Sequence, residues 1–360
     1  MKNKYIFLSF FLFPFFCLFL SHAHGEDRAK PPEESAEKKL ILLNWSEYLD
    51  PEVLQEFKNK TGITVTEVYY ETDEIRNEML VNAEGKGYDL VLSNGTSIAT
   101  FAQKGWLSPI AESEIANLRF VDDKWRDSFP DAGKYGTPFL WGTLGIAYRS
   151  DKLPKPVTSW MALFKPDPAL KNKILMIKDS RDMVGMALKA LGYSVNSTDM
   201  NELDEAKKLL FAQKPFVKSY SIYSLTENSA LVKGEALISM MYNGDALALQ
   251  EFNPTIKFVL PEEGGNIWCD YFVVMNSSKK KEWSHQFLNF IHEPAIMARL
   301  AQFAYFATTN KEAEKLLPEN FLSDQIIYPS QESLLKSESY EHLPPRITKK
   351  VNTIFNAVIQ

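Results

Sequence analysis

The sequence predicts an α/β protein of two lobes, each a mostly parallel sheet flanked by helices, joined by two extended crossovers. Short β-branched apolar runs alternate with amphipathic helical runs, the pattern of parallel sheets covered on both faces. Two longer apolar runs, at 138–148 and 267–275, suit strands that leave one lobe and return to it. The chain of 360 residues, 45% hydrophobic and 24% charged, is long enough for two cores.

The elements follow in order. Lys2 and Lys4 precede an apolar run at 5–20 and the small-residue stretch Ser21-His22-Ala23-His24-Gly25. These flanks predict a secretory signal peptide; as a membrane anchor the run falls short of the ~20 residues a span needs, and it carries Pro14. Residues 26–38 are charged, Pro-bearing and without apolar period, a flexible leader. A strand at 40–43, a helix at 51–60 closed by Thr61-Gly62, a strand at 63–70, a helix at 73–83 and a strand at 88–92 then read β-α-β-α-β. Sheets of this kind bind ligands at the carboxyl ends of their strands. The first crossover lies at 139–147. Beyond it come a strand at 174–177, helices near 182–191 and 202–213, strands at 236–240 and 256–260, and the return strand at 267–275. Helices at 283–291, 295–303 and 346–360 complete the chain. The implied division is a signal peptide at 1–25, a leader at 26–38, a first lobe of 39–146 with 271–320, and a second lobe of 147–270 with 321–360. A cleft between such lobes closes by hinge motion.

Composition narrows the chemistry. Residues 1–25 carry two lysines and no acid, so the remainder has 38 basic and 46 acidic residues and a net charge of −8. Nucleic acid is a poor partner for such a surface, and cations or neutral solutes are better ones. Beyond the apolar run only Cys269 remains, so an exported chain has no internal disulfide. His285, His292 and His342 stand in no metal-binding spacing, and nucleophile-elbow, Walker and dinucleotide motifs are missing from the sequence. We therefore expect no metal, no cofactor and no catalysis; a carboxylate enzyme such as a glycosidase is the alternative that leaves no local signature.

The strongest anomaly is a carboxylate inside an apolar strand, Ile267-Trp268-Cys269-Asp270-Tyr271-Phe272. A buried, unpaired charge costs several kcal/mol or is neutralised. On a strand Trp268 and Asp270 point to one side, and an indole face beside a carboxylate forms a cation site. The alternative is that Asp270 pairs with an internal Arg or lies at a solvated crossover. Asp179-Ser180-Arg181-Asp182 reads first as a helix cap, and second as two acids that let a helix N-terminus accept an amine. Tyr242-Asn243-Gly244-Asp245 reads as a turn closing a strand, and Trp45-Ser46-Glu47-Tyr48 as a packing plug or a ligand box at the end of the first strand.

These segments, with Tyr88-Asp89-Leu90-Val91, Thr158-Ser159-Trp160, Ala190-Leu191-Gly192-Tyr193-Ser194, Gly234-Glu235-Ala236 and Pro261-Glu262-Glu263-Gly264-Gly265, stand in an order and spacing that resembles the periplasmic spermidine/putrescine-binding proteins of ABC importers, over residues 39–345. The resemblance implies a type II periplasmic-binding fold that closes over a polyamine, delivers it to ABC permease subunits, and works as a periplasmic monomer. A binding protein for another amine or small solute and a polyamine sensor are the alternatives. By position, the resemblance assigns ligand contacts to Trp45, Ser46, Tyr48, Asp179, Asp182, Tyr242, Asp245, Trp268, Asp270 and Phe306. Where the family typically has Ser followed by Tyr, this chain has Asn94-Gly95-Thr96, a reduced aromatic wall in the loop after the third strand. Tyr305 competes with Phe306 for one position, and Tyr340 stands near the family's late Gln.

Overall fold

The computed structural model describes residues 38–221 and 224–360; the predicted signal peptide, and the leader up to residue 37, lie outside the described residues. Strands β1 (Lys38–Trp45), β2 (Ile63–Tyr70), β3 (Leu90–Asn94), β4 (Leu107–Ser108), β5 (Gly136–Arg149), β6 (Ile174–Met176), β7 (Val217–Tyr220), β8 (Ile238–Tyr242), β9 (Ile256–Val259), β10 (Ile267–Met275) and β11 (Ala307–Thr308) form the framework. β2, β1 and β3 are parallel neighbours, and β10 runs antiparallel between β3 and β5. β5 continues into a second layer, where β8 and β9 pair with it antiparallel and β6 joins β8 and β7 in parallel. This is the two-lobed α/β architecture, with β5 and β10 as its crossovers.

The lobes have separate interiors. One core packs Leu40, Leu42, Val91, Phe139, Phe272 and Phe287, and also takes in Phe321 and Ile327. The other packs Ile146, Trp160, Met176, Met186 and Leu210, and the helix Pro345–Ile359 adds Ile347, Val351 and Ile354 to it. Trp141 belongs to the first and Leu144 to the second, so the change of lobe occurs within three residues of β5.

The helices begin where their capping residues stand. Asp50 accepts from the Glu52 amide at 2.8 Å ahead of Pro51–Thr61, which Gly62 ends in the left-handed region at φ 74°. Thr72 caps Asp73–Asn82, and Asp179 caps Ser180–Ala190. Two segments differ from the sequence expectation. Asn243-Gly244-Asp245 is not a turn but the start of the helix Asn243–Phe252: the buried Asn243 side chain accepts from the Thr143 amide at 3.0 Å and donates to the Ile326 carbonyl at 2.9 Å, fixing the helix start against β5. Gly95 and Thr96 likewise open the helix Gly95–Gln103, capped by Asn94, rather than a loop.

The turn before β10 ties the chain's C-terminal part to the second lobe. Gly264 has φ +83°, and a Cβ there would lie 2.1 Å from the Lys336 carbonyl oxygen; its own carbonyl accepts from Trp160 Nε1 at 2.7 Å. Gly264→Ala combines left-handed strain with a backbone clash, so we expect a loss of about 2 kcal/mol or more in urea unfolding. An unchanged midpoint would show that the turn relaxes freely.

Candidate functional site

β1 ends at Trp45, whose ring lies 4.4 Å from that of Tyr70 at the end of β2. The chain then turns through Ser46 and Glu47 and buries Tyr48. The Tyr48 hydroxyl donates to Asp270 Oδ2 at 3.1 Å. Its ring lies 5.9 Å from Phe306, which meets Trp268 edge-on at 4.7 Å; Trp268 in turn lies 6.0 Å from Tyr242. The Tyr242 hydroxyl donates to Asp182 Oδ2 at 2.7 Å, and Tyr340 donates to Asp182 Oδ1 at 2.9 Å. The result is a row of four aromatic side chains, Tyr48, Phe306, Trp268 and Tyr242, with a carboxylate at each end: Asp270 in β10 and Asp182 in the helix Ser180–Ala190.

Backbone irregularities and glycines make this row possible. Asp270 sits opposite Asn94 of β3, and on its other side the β10–β5 register shifts: Cys269 faces Trp141 while Tyr271 faces Pro138. Such bulges re-aim side chains beside sites. A Cβ on Gly142 would lie 2.6 Å from the Trp268 indole, and one on Gly244 2.4 Å from the Phe306 ring. The row therefore needs both positions bare.

The acids are held without basic partners. Among the described residues, Asp179, Asp182, Asp245 and Asp270 form no ion pair with Lys or Arg within 4.0 Å. Burial pushes the Asp270 carboxyl up to about 7; the Asp73 charge adds to this, while the Tyr48 hydrogen bond and Arg76 oppose it. Burial raises Asp182 to about 6 against the hydrogen bonds of Tyr242 and Tyr340. Asp179 is raised by burial and by the charges of Asp182, Glu74 and Asp73, and Asp245 is raised to about 7 by burial alone. Uncompensated acids in one cleft repel one another and are stabilised by an incoming cation.

The predicted residues divide as follows. The structure brings together Trp268, Asp270, Tyr48, Phe306, Tyr242, Asp182 and Tyr340. Asp179 caps its helix, accepting from the Asp182 amide at 2.9 Å, and stands among the charges of Asp182, Glu74 and Asp73. Phe306, not Tyr305, packs into the row; Tyr305 adopts φ 57° and its hydroxyl reaches Glu251 at 3.4 Å. Ser46 is exposed in its turn, and Asp245 lies in the first turn of Asn243–Phe252. Asn94 accepts from Thr96 Oγ1 at 2.9 Å and donates to Asp73.

Three residues escaped sequence reading. Glu74 accepts from Ser180 Oγ at 3.1 Å, so helices of opposite lobes touch across the cleft. Asp73 and Arg76 form an ion pair at 2.5 Å, with Arg76 fully buried. The available signal was an Asp-Glu-x-Arg run opening the helix after β2, at the same strand ends as Trp45. A separate depression of about 580 Å³ along Pro345–Ile359, lined by His342, Thr348 and Lys349 among others, has no acid in its wall.

The two-lobed fold is that of a solute-binding protein, and the chain belongs to the bacterial extracellular solute-binding protein family, whose model matches residues 52–327. Among characterised relatives it is 31% identical over 323 residues to the spermidine/putrescine-binding periplasmic protein of Escherichia coli, covering 89% of this chain and 88% of that one. It is 26% identical over 298 residues to a norspermidine sensor of Vibrio cholerae, covering 82% of each. Among solved structures it is similar to the spermidine/putrescine ABC transporter substrate-binding protein PotD of Streptococcus pneumoniae, at TM-score 0.77 and 27% identity, over 90% of this chain and all of that chain. No helix among the described residues is long and apolar enough to cross a membrane.

Proposed function

We propose that this protein captures a polyamine between its lobes and delivers it to the permease of an ABC importer. The observation that carries this reading is the aromatic row with a buried carboxylate at each end that, among the described residues, forms no ion pair with Lys or Arg. Methylene segments lie along Tyr48, Phe306, Trp268 and Tyr242, and ammonium groups meet Asp270 and Asp182, with Trp45, Asp179 and Asp245 widening the site. An empty cleft holds mutually repelling acids, so closure is favoured by a polycation that contacts both lobes at once. In this reading residues 1–25 direct export and are removed, the product works in the periplasm as a monomer, and its lobes close about β5 and β10. The named relatives bind spermidine or putrescine, or sense norspermidine.

A thermal-shift screen tests this directly. Putrescine, cadaverine, spermidine and spermine are compared with sugars and amino acids, because a ligand that binds only the folded state raises the melting temperature. We expect shifts from the amines alone; a shift from a sugar or a neutral amino acid with none from the amines would refute the reading. The amine shifts should also shrink as salt is added, since charge-assisted contacts are partly screened.

A further inference from the structure

Two acids stand together at the second-lobe end of the row, and the hydrogen bonds around them differ in kind. Asp182, buried in the first turn of the helix Ser180–Ala190, receives a hydroxyl on each carboxylate oxygen: Tyr242, from the end of β8, at 2.7 Å on Oδ2, and Tyr340 at 2.9 Å on Oδ1. Asp179 accepts the Asp182 backbone amide at 2.9 Å on Oδ1, and its Oδ2 has no partner among the described residues. The Tyr340 ring is seated against the same helix at Gly185, where a Cβ would lie 3.0 Å from it. Glycine inside a helix is unfavourable by itself, and here it leaves the room that the tyrosine ring takes.

A tyrosine hydroxyl carries one hydrogen, and an ionised carboxylate only accepts. Both hydroxyls can therefore donate to a charged Asp182, and neither has another acceptor among the described residues. A proton on Asp182 would turn one of its oxygens into a donor and cost one of the two bonds. On Asp179 a proton fits the free Oδ2 and leaves the helix cap intact. The other charges that face the pair do not reverse this. Asp73 and Glu74, from the helix Asp73–Asn82, bear on both acids. Arg181 stacks on the Tyr340 ring at 4.5 Å and donates to Asn196 Oδ1 at 2.9 Å, and among the described residues it forms no ion pair with either acid. Burial lifts the Asp182 carboxyl to about 6 and that of Asp179 well above its ordinary value.

We propose that Tyr242 and Tyr340 are positioning residues that select Asp182 as the charged member of this pair, so that the second-lobe ammonium group docks on Asp182 with Asp179 protonated beside it. This rests on the polyamine reading above. Tyr242 supplies both the last ring of the row and one of the two hydroxyls, which sets the charge in register with the track for the methylene groups.

The test is to titrate the carboxyl carbons of the empty protein by NMR, and its affinity for putrescine by calorimetry between pH 8 and pH 6, in wild type, Tyr242→Phe and Tyr340→Phe. In wild type Asp182 should lose its proton before Asp179 as the pH rises. Each hydroxyl stabilises the charged form, so each Phe variant should raise the Asp182 midpoint by about one pH unit or more. The affinity ratio of wild type to variant should then grow about tenfold from pH 8 to pH 6. A purely structural role for the hydroxyls would lower affinity by one factor at every pH. An Asp179 carboxyl that ionises first, an unchanged Asp182 midpoint in both variants, or a constant affinity ratio overturns the proposal, and putrescine binding by wild type then leaves the polyamine reading intact. Should one variant fail to fold, the other decides. Wild type that binds no amine removes the functional reading, and the docking role with it.

Discussion

Asp270→Asn is expected to weaken amine binding by about 100-fold or more while making the empty protein more stable near neutral pH. The two effects have one cause. Asp270 is 8% exposed and is bonded by Tyr48, with no ion pair to a basic side chain. In the empty cleft its charge is a burden, which is why its carboxyl rises to about 7. In the complex the same charge meets an ammonium, and removing one member of a buried, hydrogen-bonded charge pair costs about 2–5 kcal/mol. An amide keeps the shape and can still accept from Tyr48, so the row persists. The checks are calorimetric affinity for the preferred amine and the melting temperature of the unliganded protein. A variant that loses stability and keeps its affinity would make Asp270 a structural residue.

The second large effect is the pH dependence, and binding and stability run in opposite directions. Asp182 and Asp270 have folded-state values of about 6 and about 7, above the unfolded carboxyl value near 4. The empty folded state therefore holds protons between about pH 4 and pH 7 that the unfolded chain has released. By linkage, stability rises as pH falls through this window. The penalty is fully present above the folded values, on the order of 3–4 kcal/mol for each acid. The ligand's ammonium groups stay charged throughout, since alkylammonium groups titrate near 10. They require the acids deprotonated, so affinity should fall on the order of 1,000-fold between pH 8 and pH 5. Titrations and unliganded melts across this range check both signs. Affinity that stays flat over the window would mean that these acids do not face the ligand.

The fold was readable because the apolar runs are sharply punctuated. β2 and β10 fall on the expected residues, and helix starts follow Asp50, Thr72 and Asp179. The helix Asn243–Phe252 was not, because Asn-Gly-Asp is turn chemistry until the buried Asn243 side chain holds β5 and Gly244 admits the Phe306 ring. Within the cleft, Asp270 was conspicuous as a charge in an apolar strand, and Trp268 followed from strand periodicity. Asp73, Glu74 and Arg76 were hidden by ordinary helical amphipathicity: acids in a first turn and an Arg three residues on look like a solvated face. Only the packing of Tyr70 and Phe101 around Arg76 shows that this face points inward. The choice between Tyr305 and Phe306 likewise needed the left-handed backbone at Tyr305, which turns that side chain towards Glu251.

Calorimetric titration of putrescine at pH 7, run in two buffers of different ionisation enthalpy, measures affinity, stoichiometry and proton release together. The account predicts one saturable site per chain and release of on the order of one proton as the half-protonated cleft acids are driven to their charged forms. Saturable binding with no proton released, or no saturable heat from a cooperatively folded protein, would contradict it.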